Sequence, residues 1–581
     1  MSMKEKQIID FNQTKRIRLF TELALVVLFF LVVYALTGFV YETQDDFYIE
    51  SILNGSITGK HEWWILEYNH PLLMIPLSWL YTVTTTVNWY GLLLVLLRAV
   101  TCYFVLHGLT AKTKNWTRYG LVVILYFGFL LGFYYANTRI QYTSTAGILA
   151  ISGYACYVLY KDRRGRRVLF LVIELFAYAL RPNAMMIMVP MGTAILLLLL
   201  ADEQSKGGDC WLKNLKDLGL AICIVIGIIA VGTMTFGLLR INPSIEASAK
   251  ETKARMEIFD YAYHPAYEEV KDILEQKSWT EKKYQAFLQY MILDYDAQDG
   301  VLQKIAMRKP ADDHSEDNMI SIIKKVYKAT WSYEIGGISL TVILLWAVAM
   351  LAVLCTAKWT YLAVAVAFQI AKIIAWGYMI WIHRSPVRVT LPMMYAEALV
   401  AMLIIVLLLV DMEVRKSILS KVMALAYVLV VFFFICSIMR ESYHQIKALR
   451  SQKDAENYVS QSLEQCRDYC KEHPENAFIL SNEICTFYRK DVLANEITFD
   501  NYVLSGDWFA ILPGYTNYVQ RYFKGKEKCC FLINESIPEF VRKAKLNYLE
   551  EYFGYTPVLR DSIDLASGEK CNVYQVKESD N

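Results

Sequence analysis

The chain contains 581 residues, of which 55% are apolar and 20% are charged, and its formal net charge is +2. This length is large for one soluble core. Runs such as ELALVVLFFLVVYALTGFV hold about twenty residues almost without charge, enough to cross roughly 30 Å of hydrocarbon. About ten further runs of this kind exclude a soluble protein with a single signal anchor. We therefore predict a polytopic α-helical membrane protein with about eleven transmembrane helices and a small extracytoplasmic α/β C-terminal domain.

Clusters of lysine and arginine predict how the chain is oriented. They precede the first apolar run and recur at 111–118, 161–167, 206–216 and 415–421. Short cytoplasmic loops collect basic residues, so we expect all of these clusters to face the cytoplasm. No small-residue cleavage site follows the first run, so we interpret it as a retained span. The resulting prediction is a multi-pass protein of the cell membrane with a cytoplasmic N-terminus and an extracytoplasmic C-terminal domain.

The predicted spans lie near 19–40, 88–110, 119–136, 144–160, 168–180, 184–201, 218–240, 336–356, 360–382, 390–410 and 421–440. The apolar stretch PLLMIPLSWLYTV is too short for a crossing and is typical of an interfacial helix. The run VLFLVIELFAYALRPNAMMIMVPMGTAILLLLLA is flanked by basic loops on both sides. We therefore predict a hairpin of two spans, broken at Arg181-Pro182-Asn183 because a proline disfavours helix at the preceding residue.

We divide the chain into a transmembrane domain at 1–440 and an extracytoplasmic α/β domain at 441–581. The first domain includes two outer segments, a loop at 41–87 and a charged region at 241–334 with apolar residues at helical spacing. The tail opens with the helical pattern AENYVSQSLEQCRDYCKEH. The strand-like runs AFILSN, CCFLINE and CNVYQV follow, together with the helical IPEFVRKAKLNYLEEYF. This alternation indicates a small α/β fold.

Two adjacent carboxylates, Asp45 and Asp46, follow the first predicted span. Repulsion between neighbouring carboxylates favours a proton on one of them, which makes such a pair suited to proton transfer. A partly desolvated aspartate could accept the proton of a sugar hydroxyl as that hydroxyl attacks an anomeric carbon. The alternative is that Asp46 caps a helix that begins at FYIESIL.

Cations at the predicted outer ends of spans could bind a phosphate. The candidates are Arg139, Arg181, His383, Arg384 and Arg388, with Arg384 and Arg388 preferred because outer loops contain few other cations. Fixed cations stabilise an anionic leaving group, and arginine can bind phosphate in a bidentate manner. The alternative for each arginine is an interaction with lipid headgroups.

The loop at 41–87 also holds aromatic and histidine side chains. Trp63, Trp64 and His70 are candidates for contacts with a sugar or an acceptor. Tryptophans at this position are also typical of the aromatic belt of membrane proteins. His61, Glu62 and His70 could join Asp46 as ligands of a divalent cation, so such a cation is a candidate cofactor whose ligands stay unassigned.

An ordered set of motifs resembles the GT-C superfamily, the integral-membrane glycosyltransferases that use polyprenyl-phosphate sugars. The set begins with the first span, the acidic pair and Gly55, and continues with NHPLLMIPLSWLY and with WYGLLLVLLRAV, which contains Arg98. LRPNAMMIMVP and HRSPVRVTLPMM then resemble stretches of bacterial members. The resemblance covers about 19–440, and the layout is similar to that of protein mannosyltransferases.

This resemblance implies a fold, a reaction and roles for the acidic pair. Asp45 corresponds to the general base of the family, and Asp46 would support it or hold a metal. Common members have Asp-Glu and HPP where this chain has Asp45-Asp46 and HPL. The sequence therefore leaves open which of the two aspartates is the base.

Taken together, these patterns predict an inverting glycosyltransferase that moves a sugar from a polyprenyl-phosphate donor to a cell-envelope glycan or lipid at the outer membrane face. The inner loops are too short for a nucleotide-sugar domain, and no phosphate-binding glycine loop or zinc-protease helix occurs. We expect no nucleic-acid partner. Two alternatives are a transporter or flippase of lipid-linked sugars and a non-catalytic membrane scaffold. A flippase would place substrate-binding charges within its spans.

Overall fold

The computed structural model describes residues 14–65, 68–204, 211–261, 263–310, 318–335, 337–411, 418–486, 491–494, 501–524, 526 and 528–577. The basic residues before position 14 and those at 415–417 lie outside this part of the chain. The fold is mostly helical, with a mixed β-sheet near the C-terminus. The chain forms two compact units. The first unit is drawn from Met1–Phe39, Leu92–Thr233 and Asp313–Arg450, and the second from Val40–Gly91, Met234–Asp312 and Ser451–Asn581.

The helices up to residue 306 are α1 (Lys15–Thr37), α2 (Gln44–Leu53), α3 (Pro71–Val83), α4 (Trp89–Thr110), α5 (Trp116–Gly132), α6 (Tyr134–Thr138), α7 (Tyr142–Leu159), α8 (Arg163–Leu180), α9 (Pro182–Leu196), α10 (Leu198–Gln204), α11 (Trp211–Leu239), α12 (Pro243–Arg255), α13 (Tyr267–Glu275), α14 (Glu281–Leu288) and α15 (Val301–Ala306). The later helices are α16 (Met319–Trp331), α17 (Ile338–Thr356), α18 (Thr360–Trp381), α19 (Val387–Asp411), α20 (Ile418–Glu472), α21 (Asn482–Thr486), α22 (Tyr515–Phe523) and α23 (Glu539–Phe553). The strands are β1 (Val40–Tyr41), β2 (Arg139–Ile140), β3 (Asn476–Leu480), β4 (Tyr502–Leu504), β5 (Lys528–Asn534), β6 (Val558–Asp564) and β7 (Lys570–Lys577).

Seven helical stretches among the described residues are long and apolar enough to cross a membrane. They are Lys15–Thr37, Trp89–Thr110, Pro182–Asp202, Leu212–Leu239, Ile338–Thr356, Thr360–Trp381 and Val387–Leu409. A multi-pass membrane protein is thus supported. The remaining predicted spans fall in α5, which is shorter, in α7 and α8, which are more polar, and in α20, where part of the predicted span lies outside the residues whose side chains the structure describes. The count of eleven spans and the orientation stay predictions.

The predicted break at Arg181 is confirmed. α8 ends at Leu180 and α9 begins at Pro182, while Arg181 itself is extended, with φ −158° and ψ 98°. Proline suits the first position of a helix because its missing N–H would have no partner there. The predicted short helix after His70 is also confirmed as α3, a helix of 13 residues.

The core of the first unit lies around α7, which is buried along its whole length. α19 packs closely against it, since a Cβ added at Gly147 of α7 would lie 2.6 Å from the Cβ of Pro392 in α19. A larger residue at Gly147 would therefore force these two helices apart. α19 is buried across its apolar length as well, and the two helices form the centre of this bundle.

The second unit contains a five-stranded sheet with the order β4-β3-β5-β7-β6. β3 pairs in parallel with both β4 and β5, whereas β7 pairs antiparallel with β5 and β6. The three strand-like runs of the sequence are confirmed as β3, β5 and β7, and the predicted helix after β5 is α23. β4 and β6 were not predicted. One face of the sheet is covered by the end of α20, with a core of Leu463, Cys466, Cys470, Phe478, Leu480, Ile484, Cys530, Leu532, Leu565, Cys571 and Val573.

The parallel pairing brings the carboxyl ends of β3 and β4 to the same edge of this sheet. The Ser505 N–H donates to the Leu480 carbonyl at 2.9 Å, which aligns the residues that follow the two strands. In open α/β sheets, ligands bind outside the carboxyl ends of parallel strands. This edge of the sheet is therefore a candidate ligand-binding position in the second unit.

Candidate functional site

The acidic pair lies in the first turn of α2. Thr43 is the N-cap residue and Gln44 the first helical residue, so Asp45 and Asp46 occupy the second and third helical positions. The alternative in which Asp46 is the N-cap residue is therefore wrong. Negative side chains in the first turn stabilise a helix through its macrodipole, so both aspartates favour the helix here.

Asp46 is fully buried and is held by hydrogen bonds. The Tyr90 hydroxyl donates to Asp46 Oδ1 at 2.8 Å, and the Thr43 hydroxyl lies 3.5 Å from Oδ2. Glu50, one turn further along α2, is bound in the same way by the Tyr41 hydroxyl at 3.0 Å and the Asn88 amide at 2.8 Å. These two carboxylates fix α2 within the second unit.

Asp45 differs from both, because its side chain is partly exposed. Among the described residues, none forms a hydrogen bond or an ion pair with its carboxylate. Its charge acts on two neighbours, the Asp507 carboxyl and the Tyr290 phenol. Asp45 is thus the member of the acidic pair that is available to a reactant.

Asp507 follows β4 and forms a buried ion pair with Arg255, the last residue of α12. Arg255 Nη2 donates to Asp507 Oδ1 at 3.0 Å, and the Trp508 backbone N–H donates to the same oxygen at 2.6 Å. Burial raises the pKa of Asp507 to about 6, Arg255 lowers it, and Asp45 raises it. The Arg255 guanidinium also stacks over the rings of Phe259 and Tyr290.

A second buried cation belongs to the same electrostatic group. Lys545 of α23 is buried, and its Nζ lies 2.7 Å from Glu483 Oε2 and 3.0 Å from the Ser481 hydroxyl, just beyond β3. Burial lowers the pKa of Lys545, while Glu483 and Asp507 raise it. Asp45, Asp507, Arg255 and Lys545 therefore form one charged cluster near the carboxyl ends of β3 and β4.

The aromatic and histidine candidates occupy different environments. Trp64 is buried and packs against Phe236, with ring centroids 6.4 Å apart. His70 is buried and caps α3, since its Nδ1 accepts from the Leu72 N–H at 3.2 Å. Trp63 is partly exposed. The role of Trp63, Trp64 and His70 in sugar or acceptor binding stays a prediction.

The predicted phosphate-binding cations belong to the first unit. Arg139 is buried, and Arg181 stacks over the Tyr142 ring at 5.7 Å. His383 is exposed in the turn between α18 and α19, with a φ of 50°. Arg384 lies in the same turn and Arg388 in the first turn of α19, and both are partly exposed. Phosphate binding by this group stays a prediction.

The structure identifies functional candidates that sequence reasoning missed. Asp507, Arg255 and Lys545 come from three separate segments, and only the fold brings them near Asp45. Over the part of the chain that the structure describes, no group of three or more His, Cys, Asp or Glu side chains is arranged to hold a metal ion. The divalent cation stays a candidate from the sequence only.

Tyr90→Phe should destabilise the protein because the buried Asp46 carboxylate loses the 2.8 Å hydrogen bond from the Tyr90 hydroxyl. A hydrogen bond to a charged group contributes roughly 1.5–3 kcal/mol, so we expect a clear fall in the thermal unfolding midpoint. Tyr443→Phe is a matched control, since Tyr443 is exposed. Equal midpoints for the two variants would contradict the assigned bond between Tyr90 and Asp46.

Asp45→Asn should lower the pKa of Asp507 below about 6, because it removes a charge that raises this pKa. A carboxyl with a raised pKa contributes stability at low pH that is lost as the pH rises through the folded-state value. In the parent, this loss should be complete only above about pH 6. In Asp45→Asn it should be complete at lower pH.

The measurement compares thermal unfolding midpoints of chains with Asp507 and with Asp507→Asn across pH 4 to 8, with and without Asp45→Asn. An unchanged pH window would show that the two carboxylates do not interact.

Comparison with models of protein families, with curated proteins and with solved structures finds no match to this chain.

Proposed function

We propose that the protein is an inverting glycosyltransferase that moves a sugar from a polyprenyl-phosphate donor to a cell-envelope acceptor at the outer membrane face. The observation that carries this proposal is the difference within the acidic pair. Asp46 is buried and hydrogen-bonded, whereas Asp45 is partly exposed and makes no hydrogen bond among the described residues. A general base needs a carboxylate within reach of the proton that it removes.

In the proposed reaction, Asp45 accepts the proton of an acceptor hydroxyl. The hydroxyl oxygen forms a bond to the anomeric carbon, and the bond from this carbon to the phosphate oxygen breaks on the opposite side. The polyprenyl phosphate departs with the electron pair. One displacement of this kind inverts the configuration of the anomeric carbon, and no metal or redox cofactor is needed to balance it.

The other members of the charged cluster position Asp45 and the acceptor. The bonds of Asp46 and Glu50 hold α2 in place, so the direction of the Asp45 side chain is set by a rigid helix. Asp507 and Arg255 offer a buried, oriented pair beside it. Two of the cluster's residues, Asp507 and Lys545, lie in the C-terminal tail, which supports a role for the tail in acceptor binding.

The donor side of the proposal rests on sequence. The seven apolar stretches support a substrate that is delivered from the lipid phase. We assign the departing phosphate to Arg384 and Arg388, because arginine binds phosphate oxygens in pairs. This assignment does not depend on the acidic pair. It could be wrong while the role proposed for Asp45 is right.

One observation favours the second candidate function, a transporter of lipid-linked sugars. Lys372 of α18 and Glu397 of α19 form a buried ion pair of 2.7 Å on the wall of a cavity of about 410 Å³ in the first unit. Ionisable residues within membrane-spanning helices often mark substrate pathways. The Lys372–Glu397 pair is the feature that a transporter would use.

Reconstitution into proteoliposomes separates these functions. The protein is supplied with a polyprenyl-phosphate sugar and a crude envelope acceptor, and both new glycosidic bonds and movement of the lipid between leaflets are measured. We expect new glycosidic bonds. Lipid movement without bond formation would replace the proposal with transport, and a loss of that movement in Lys372→Ala would identify the pathway. The absence of both activities would favour a scaffold.

A further inference from the structure

A cavity of about 320 Å³ in the first unit is lined by cations from separate segments. Lys15 is the first residue of α1, Arg18 lies one turn later, and Lys161 follows the end of α7. His107, near the end of α4, completes the polar wall. The volume is at the lower end of the range typical of small-molecule sites. This cavity contains none of the residues assigned to sugar transfer.

The buried carboxylate of Glu22 acts electrostatically on Arg18, so it offsets only one of the three cations. Glu22 is fully buried, and its two oxygens are held by His107 Nδ1 and the Thr110 hydroxyl, each at 2.7 Å. Neither Lys15 nor Lys161 forms an ion pair with a described residue. Excess positive charge therefore faces the cavity.

Arg18 is held in place on this wall. Its Nη2 donates to the Thr110 carbonyl at 3.0 Å, and its guanidinium lies 5.2 Å from the centre of the Tyr119 ring. Arg18 is thus pre-oriented, while Lys15 and Lys161 are exposed, and a lysine ammonium sits on a four-carbon stem that can adjust to a ligand. A fixed guanidinium with two adjustable ammonium groups suits a compact anion with several acceptor oxygens.

We propose that this cavity binds a phosphate group, carried either by the headgroup of an anionic phospholipid or by a soluble phosphate. The sequence predicts that this end of the first unit faces the cytoplasm, where anionic lipids concentrate. Basic pockets between membrane helices at that surface recognise lipid headgroups. The proposal does not depend on glycosyl transfer and holds equally for a transporter.

The experiment compares two double variants with the same change in charge. Lys15→Gln/Lys161→Gln removes two cations of the cavity, whereas Arg16→Gln/Arg164→Gln removes their exposed neighbours, which do not line it. Arg18 is left unchanged because its bond to Thr110 contributes to folding. Each protein is embedded in nanodiscs of phosphatidylcholine with or without phosphatidylglycerol, and retention of the anionic lipid is measured by native mass spectrometry. A second arm titrates inorganic phosphate in phosphatidylcholine alone.

We expect retention of phosphatidylglycerol to weaken roughly thirty-fold in Lys15→Gln/Lys161→Gln, since each cation near a membrane surface contributes about five-fold to such binding. The Arg16→Gln/Arg164→Gln control should retain the lipid as the parent does. Weakening confined to the inorganic phosphate arm would identify a soluble phosphate as the ligand. Equal behaviour of the two double variants in both arms would overturn the proposal.

Discussion

Asp45→Asn is expected to reduce sugar transfer by about 10²- to 10⁴-fold, the range that a positioned general base contributes. Asparagine keeps the shape of the side chain but cannot accept the proton of the acceptor hydroxyl. Because the base acts in the transition state, kcat should fall while KM for the donor changes little. The thermal unfolding midpoint should stay close to that of the parent, since Asp45 makes no hydrogen bond among the described residues.

Asp46→Ala is the matched control for this prediction and should show the opposite pattern. It leaves the buried Tyr90 hydroxyl without its acceptor, which costs about 1–3 kcal/mol of unfolding free energy. Transfer by the fraction that remains folded should be less impaired than in Asp45→Asn. If Asp45→Asn kept more than a tenth of the parental kcat, Asp45 would not be the base.

Arg255→Met is expected to cause the largest loss of stability among the substitutions considered. Removal of one partner of a buried ion pair leaves an uncompensated charge and typically costs about 3–5 kcal/mol. Asp507 would lose the cation that lowers its pKa, so it should also titrate above about 6 in this variant. The expected result is a large fall in the midpoint of thermal unfolding. This fall should be larger at pH 8 than at pH 5, because more of the unpaired Asp507 carboxyl is charged at pH 8.

Two controls distinguish the effect of losing the charged partner of Asp507 from the effect of losing side-chain packing. The double variant Arg255→Met/Asp507→Leu removes both charges and should recover most of the stability, because apolar side chains of similar volume tolerate burial. Arg308→Met breaks a surface pair with Asp272, whose side chain is 60% exposed, and should cost far less because solvent screens that pair. Equal losses for Arg255→Met and Arg308→Met would contradict the buried pair.

Much of the fold could be predicted from local sequence signals. The proline after Arg181 predicted the break between α8 and α9, and the apolar runs of the tail predicted β3, β5 and β7. β4 was missed because it is three residues long, and β6 because its side chains are almost all exposed and show no alternation. Short and exposed strands are stabilised by their neighbours in the sheet, which the sequence of the strand itself does not reveal.

The candidate site could be predicted from the sequence only in part. The order of the sequence, in which Asp45 and Asp46 follow the first apolar run, predicted proton-transfer chemistry but not which aspartate is available. That difference arises from Tyr90, which lies 44 residues away from Asp46 in the chain. Asp507 and Arg255 were missed because their pairing spans 252 residues and depends on the end of β4. Interactions between residues this far apart along the chain depend on the topology of the fold. They leave no periodic pattern in the sequence.

The configuration of the product tests the central claim most directly. The reconstituted protein converts a donor of known anomeric configuration, and the coupling constant of the anomeric proton in the product is read by NMR. A single displacement assisted by Asp45 as base predicts a product whose configuration is opposite to that of the donor. A product with the donor's own configuration would instead require a covalent sugar intermediate, and the role assigned to Asp45 would be wrong.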